Sequence, residues 1–429
     1  MQQITEKRLN EHGINIHFIQ SKKYKTINFI AKLKAPLERE TVTKRALLPY
    51  VLKQGTKNHP SRKDLQLKLD DLYGAILSID SGKKGENHIL TYRMELANPK
   101  FIPEETSIIE EGIDLFGEFL FHPYAINNAF DEKIIDREKD TLKQKINSIK
   151  DDKMQYANMR LIDEMCEGEA YALHVHGYEE DFNSITPESL YNYYQTLLND
   201  NQFDLYVLGD FDEQKMRDHI TLLMKRDSIK TANRTVEYPV HKDREPNEVI
   251  EKQNVQQAKL HIGYRTNITY KDDDYAALQV FNGVFGGFPS SKLFINVREK
   301  NSLAYYASSR MESHKGLLFV FSGIAPTDFE KARDIIREQM TAMKNGDIKD
   351  DALSETKDLI TNQLLETMDH PQGLIELLYQ QVLGEKEMSP NELLNNIKHV
   401  TKEQVIEVAQ KIKEDTVYLL TSEGGQANE

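Results

Sequence analysis

The chain has 429 residues, a formal net charge of -14 and a single cysteine. That length exceeds one ordinary core and predicts two domains of about 200 residues, while the acidic balance argues against a nucleic-acid or anionic-membrane surface. Cys166 alone can form no internal disulfide, Met1 to Arg8 lack the apolar core of a signal peptide, and no run approaches the ~18 apolar residues of a membrane span, so a cytoplasmic location is expected.

In chain order, residues 14–19 and 26–33 alternate apolar and polar side chains, which predicts two strands that pair with each other. Helical patterns follow at 41–53 and 61–73, the second with Ser61 as N-cap and Asp64 at the third position, close to a capping box. Residues 75–80 and 88–96 read as a hairpin around 81–85. A helix over about 104–120 places Ile109, Ile113, Phe116 and Leu120 on one face. A charged helix covers 130–149, another follows Asp151-Asp152-Lys153, and one more starts near Pro187. A strand over 202–210 closes this half. Residues 226–247 are polar, contain Pro239 and Pro246 and show no period, which predicts a linker between a first domain over 1–225 and a second over 248–429.

The order then recurs. A strand over 258–264 precedes a helix over 275–281. Residues 303–308 and 316–323 form a second hairpin. Thr327-x-x-Glu330 reads as a cap for a helix with Phe329, Ile336, Met340 and Met343 on one face, and a helix over 351–367 follows. Met368-Asp369-His370-Pro371-Gln372 echoes Asp151-Asp152-Lys153-Met154-Gln155. The pattern predicts an internal duplication of α+β class, each copy a mostly antiparallel sheet packed against helices.

Three stretches invite a chemical reading. His174-Val175-His176 could present two ring nitrogens to one ion, but a surface loop with two histidines is the simpler account. Gly283-x-x-Gly286-Gly287 lacks the Gly-Lys-Ser/Thr of a phosphate loop. Ala46-Leu47-Leu48-Pro49-Tyr50, followed by Gly55-Thr56, resembles a motif of the pitrilysin (insulinase) family of zinc peptidases, whose equivalent helix reads His-x-x-Glu-His before a Lys-Gly-Thr-like turn. Aligned on Gly55-Thr56, the first ligand histidine falls on Ala46, the general-base glutamate on Pro49 and the second ligand histidine on Tyr50. The third ligand, a glutamate on a long helix, falls on Lys145, or on Gln144 if the register shifts by one. Ala46 has no donor atom, a phenol is a poor zinc ligand at neutral pH, Pro49 carries no base, and an ammonium repels zinc.

Residues 286–305 resemble the family's Gly-Gly-x-x-x-Ser-(Arg/Lys)-Leu-Phe … Arg-Glu-x-x-x-Leu-Ala-Tyr block. In active members that arginine and tyrosine reach the active site from the second domain, the tyrosine donating to the oxyanion. The matching residues are Arg298 and Tyr305. The bland alternative is a helix-end cation and a residue of a buried strand. The resemblance implies a clam-shell chain with no zinc and no cofactor, inactive alone. Its partner would be a family subunit carrying His-x-x-Glu-His. Extended peptides or small proteins would bind by strand addition, with Arg298 and Tyr305 acting in trans. A scaffold or peptide-binding protein without catalytic contribution is the rival reading. No Ser-His-Asp, Cys-His or paired-carboxylate arrangement supports a self-sufficient hydrolase.

Overall fold

The structure is a computed structural model that describes residues 5–102, 107–224 and 245–422. The chain divides into two compact units, one of Met1–Ser148 with Leu173–Glu237, the other of Ile149–Ala172 with Tyr238–Glu429. The class is α+β, as expected. Most of the segment read as a linker, up to residue 244, lies outside the described residues; its last residue, Asn247, begins the strand Asn247–Lys252.

The first unit holds a six-stranded sheet in the order Glu6–Glu11, Ile14–Gln20, Gln202–Gly209, Thr26–Pro36, Asn87–Ala97, Ile76–Lys84. Strands Ile14–Gln20 and Thr26–Pro36 therefore do not pair with each other; Gln202–Gly209 lies between them, parallel to the first and antiparallel to the second. The reason is burial. Phe203 to Gly209 are all buried, so this strand needs neighbours on both edges and cover on both faces. The hairpin of the sheet's far edge keeps its register to Lys84↔Asn87, so the turn is Gly85-Glu86, later than expected.

The second unit repeats this frame in a five-stranded sheet ordered Asn247–Lys252, Lys413–Thr421, Ala258–Arg265, Leu317–Ile324, Ala304–Glu312. Its one parallel pair, Asn247–Lys252 with Lys413–Thr421, occupies the same place as the parallel pair of the first sheet. The helices repeat too. A 20-residue helix, Glu132–Asp151, breaks at Asp152 into Lys153–Met165; a 20-residue helix, Asp350–Asp369, breaks at His370 into Pro371–Gly384. Asp152 caps its helix by accepting from the N–H groups of Met154 and Gln155, whereas His370 precedes a proline whose missing N–H needs no cap.

Local sequence signals hold where their partners are local. Ser61 accepts from the Asp64 N–H at 3.2 Å and donates to its carboxylate at 2.6 Å. The Thr327 cap does not form: a 3₁₀ turn, Pro326–Asp328, runs directly into Phe329–Lys344, and no side chain caps that helix. The helix Lys153–Met165 packs on the second sheet, with Ala157, Leu161 and Met165 in one cluster with Leu317, Phe319 and Tyr418. Residues 149–172 thus belong with the second unit, although their sequence position lies inside the first half.

Candidate functional site

The helix that carries Ala46, Pro49 and Tyr50 runs over Val42–Leu52 and continues through Pro49. An interior proline costs about 3 kcal/mol. Burial of Ala46, Leu47, Leu48, Val51 and Leu52 offsets it. Arg45 is 1% exposed and anchors the helix by donating to the Leu33 carbonyl and the Asn201 side chain. The turn after the helix needs its glycine, because a Cβ on Gly55 would lie 2.7 Å from the Pro60 carbonyl carbon.

What stands there is an ordinary polar cluster. Ala46 is buried and Tyr50 half-buried, and the Lys53 ammonium rests 4.5 Å from the centre of the Tyr50 ring. Burial, then the charge of Glu138, raises the Tyr50 phenol above its ordinary range, so it stays protonated at neutral pH. Burial lowers Lys53, with Glu138 acting against it. Glu138 is a buried carboxylate that the sequence reading missed. Its signal was present: it lies three residues after Ile135 and four before Leu142, on the buried stripe of Glu132–Asp151.

Lys145 itself is exposed. Burial, then the charges of Lys145 and His174, pushes the His176 imidazole down to about 4. The His174–His176 loop is tied to the start of the motif helix. Tyr178 donates its N–H to the Thr43 hydroxyl at 3.0 Å, Thr43 donates to Asp181, and Arg39 bonds Asp181 at 2.6 and 3.1 Å while stacking 4.0 Å from the Tyr178 ring. His174 stacks on Tyr178 at 5.1 Å. Among the described residues no group of three or more His, Cys, Asp or Glu could hold a metal ion.

Arg298 and Tyr305 belong to the second unit. The turn Phe294–Glu299 is pinned by fully buried Leu293 and Val297, which leaves Arg298 pointing outward with its guanidinium 4.7 Å from the Phe294 ring. Ser302, in the left-handed region at φ 53°, reverses the chain, and Leu303 donates to the Val297 carbonyl at 3.1 Å. The strand Ala304–Glu312 then starts at the outer edge of the second sheet. Tyr305 is 74% exposed and its hydroxyl has no partner among the described residues. It is therefore not part of a buried strand face; its neighbours Ala304 and Ala307 supply the buried side.

A family described as "Peptidase M16 inactive domain" matches residues 184–360. The chain is 47% identical over 425 residues, 99% of its length and 100% of the relative's, to a protein from Bacillus subtilis (strain 168) named "Probable inactive metalloprotease YmfF". The crystal structure of a conserved protein from Enterococcus faecalis V583 superposes with a TM-score of 0.90 at 30% identity, covering 99% of this chain and 100% of that one. A peptidase M16 inactive domain from Pseudomonas fluorescens shares the fold at a TM-score of 0.81 and 14% identity, covering 99% and 100%. The chain belongs to the M16, or pitrilysin, metallopeptidase family, as an inactive homologue.

Proposed function

We propose that this chain is the zinc-less half of a mixed peptidase, paired with a family subunit that carries His-x-x-Glu-His and acting on extended peptides or small proteins. Arg298 holds substrate, and the Tyr305 hydroxyl donates to the oxyanion formed at the partner's zinc. The observation that carries the reading is Tyr305 itself. A large aromatic side chain, 74% exposed with a free hydroxyl, gains nothing for the fold where it stands. It sits on an edge strand, whose unpaired backbone groups suit the addition of an extended peptide.

The test is to co-purify the chain with its His-x-x-Glu-His partner and follow cleavage of an unstructured peptide. One oxyanion donor is worth a factor of about 100 to 1,000 in turnover. Tyr305→Phe keeps the ring and should lower turnover at least roughly tenfold, with the complex and its zinc intact. Arg298→Ala should weaken substrate binding, although it also removes the stack on Phe294. Unchanged turnover in Tyr305→Phe would leave the chain as a scaffold or peptide-binding subunit.

A further inference from the structure

The second unit contains a cavity of about 500 Å³ between the helices Tyr275–Asn282 and Asp350–Asp369. That volume is within the range of small-ligand sites. By the duplication, this helix pair corresponds to Val42–Leu52 and Glu132–Asp151, the pair that carries the lost zinc motif. The two helices of the second-unit pair approach closely at a glycine: a Cβ on Gly283 would lie 2.4 Å from the Thr356 methyl. Gly287 and Phe288, for which no chemistry was assigned above, form part of the wall.

The lining has a definite character. Phe288, Ile360 and Leu364 supply apolar surface. Glu366 and Gln363 face the cavity with side chains that have no partner among the described residues. Gln279 donates its amide N–H to the Tyr275 hydroxyl at 2.7 Å, which leaves its carbonyl oxygen as an acceptor. No lysine or arginine contributes to the lining, and His370 adds a ring nitrogen at the end. Glu366 lies in the last turn of its helix, where the backbone carbonyls carry partial negative charge. An apolar wall, an aromatic face, a carboxylate and acceptor oxygens together select a cation on an apolar stem.

The first unit shows the same chemistry satisfied from within. There Lys53 lies over the Tyr50 ring, in the field of Glu138 on the long helix. The second unit offers the aromatic ring and the carboxylate of its long helix without the cation. We propose that this cavity receives the side chain of a lysine or arginine carried on an extended peptide, its charged head on Glu366 and its stem against Phe288 and Leu364. The assignment rests on the peptide-binding reading above and adds a side-chain preference to it.

The experiment uses the full chain and a short dye-labelled Gly/Ser peptide with a central Leu-Lys-Leu, together with a twin in which norleucine replaces lysine. Fluorescence anisotropy should show the lysine peptide binding about tenfold more tightly, a difference of about 1.4 kcal/mol. Glu366→Gln should bring the lysine peptide to the level of its twin. Glu355→Gln, exposed on the same helix but outside the cavity, should change neither, which separates the site from the general negative charge of the chain. Cadaverine in excess should compete with the lysine peptide and leave the norleucine twin unaffected; no competition, or equal loss of both peptides, would overturn the cation site. Equal binding of both peptides by the unaltered chain would overturn the cation site and leave peptide binding standing. Binding of neither would overturn both.

Discussion

The two helix pairs of the duplication make the most informative comparison in the molecule. In the first half, the face that carries Ala46 and Tyr50 is closed by internal contacts: Ala46 is buried, Lys53 lies on Tyr50, and Glu138 is buried beside them. In the second half, the corresponding pair keeps open space and polar groups with no partner among the described residues, and the adjoining segment presents Arg298 and Tyr305 outward. The other copy presents its polar groups to solvent. A buried polar group without a partner costs about 1–3 kcal/mol, whereas exposed groups such as Tyr305 carry no such penalty and stay open to a second molecule.

The sharpest way to break this comparison is to restore the lost site. Ala46→His, Pro49→Glu and Tyr50→His together should not give a chain that holds zinc, because the family resemblance puts Lys145, a positive charge, at the third ligand position. Adding Lys145→Glu should. Two positive charges on zinc and one on an ammonium about 4 Å away repel by several kcal/mol even at an effective dielectric of about 20, so zinc affinity should differ by roughly a hundredfold or more between the triple and quadruple variants. Metal analysis after dialysis against a weak chelator measures it. Stoichiometric zinc in the triple variant would show that Lys145 does not occupy the ligand position.

Two smaller effects probe what holds the second copy. Arg265 is nearly buried and bonds Glu169 at 2.7 Å, Asp415 at 3.0 Å and the Met165 carbonyl at 2.6 Å, which binds residues 149–172 to the second sheet. Arg265→Met removes one partner from two buried carboxylates and should cost about 3–5 kcal/mol in urea unfolding, with Lys315 retaining part of the Glu169 interaction at 2.6 Å. A loss below 1 kcal/mol would mean that the segment is held by its apolar contacts alone. Gly283→Ala should cost about 1–3 kcal/mol, since the new methyl must displace Thr356 or the Phe288 ring from the helix contact. A neutral effect there would show that the helix pair gives way more easily than its spacing implies.

Legibility from sequence followed the range of each interaction. The Ser61–Asp64 box, the Gly55 turn and the break at His370 are settled within a few residues and were readable. The pairing of Ile14–Gln20 was not, since its partner lies almost two hundred residues away in sequence and a short connection to Thr26–Pro36 suggested a hairpin. The strand Lys413–Thr421 escaped notice because both its faces are covered and its apolar residues do not alternate. The membership of Lys153–Met165 in the second unit leaves no local mark, because an amphipathic helix does not specify which sheet it covers. At the site, residue types carried the resemblance, whereas the burial of Glu138 and the exposure of Tyr305 needed three dimensions.

The smallest predicted effect compares one buried histidine in each sheet. His17, in the first sheet, lies between Glu6 at 2.6 Å and Asp204 at 3.4 Å and stacks on Tyr206 at 4.2 Å. Burial alone would lower its pKa, but the hydrogen bonds to Asp204 and Glu6 win and raise it above 6.5. Glu6 behaves as the counterpart: burial opposes ionisation, and the bonds from His17 and Arg8 bring its pKa below 4.5. A raised histidine stabilises the fold fully below its unfolded value and ceases to do so as pH rises through its folded value; a lowered carboxyl stabilises above its unfolded value and ceases as pH falls. The pair therefore contributes most between about pH 4.5 and 6.5. His261, in the second sheet, is fully buried against Phe321, and burial pushes it down to about 3. It stays neutral in the fold while the unfolded chain takes up a proton, so it opposes folding as pH falls below 6.5. Urea unfolding at pH 5, 6, 7 and 8 should give opposite slopes. His17→Gln should cost about 1 kcal/mol near pH 5 to 6 and less toward pH 8. His261→Leu should gain relative to the unaltered chain as the pH is lowered. Parallel pH profiles for both variants and the parent would mean that neither imidazole differs in protonation between the folded and unfolded chains, and that the contrast between the two sheets ends at their hydrogen bonds.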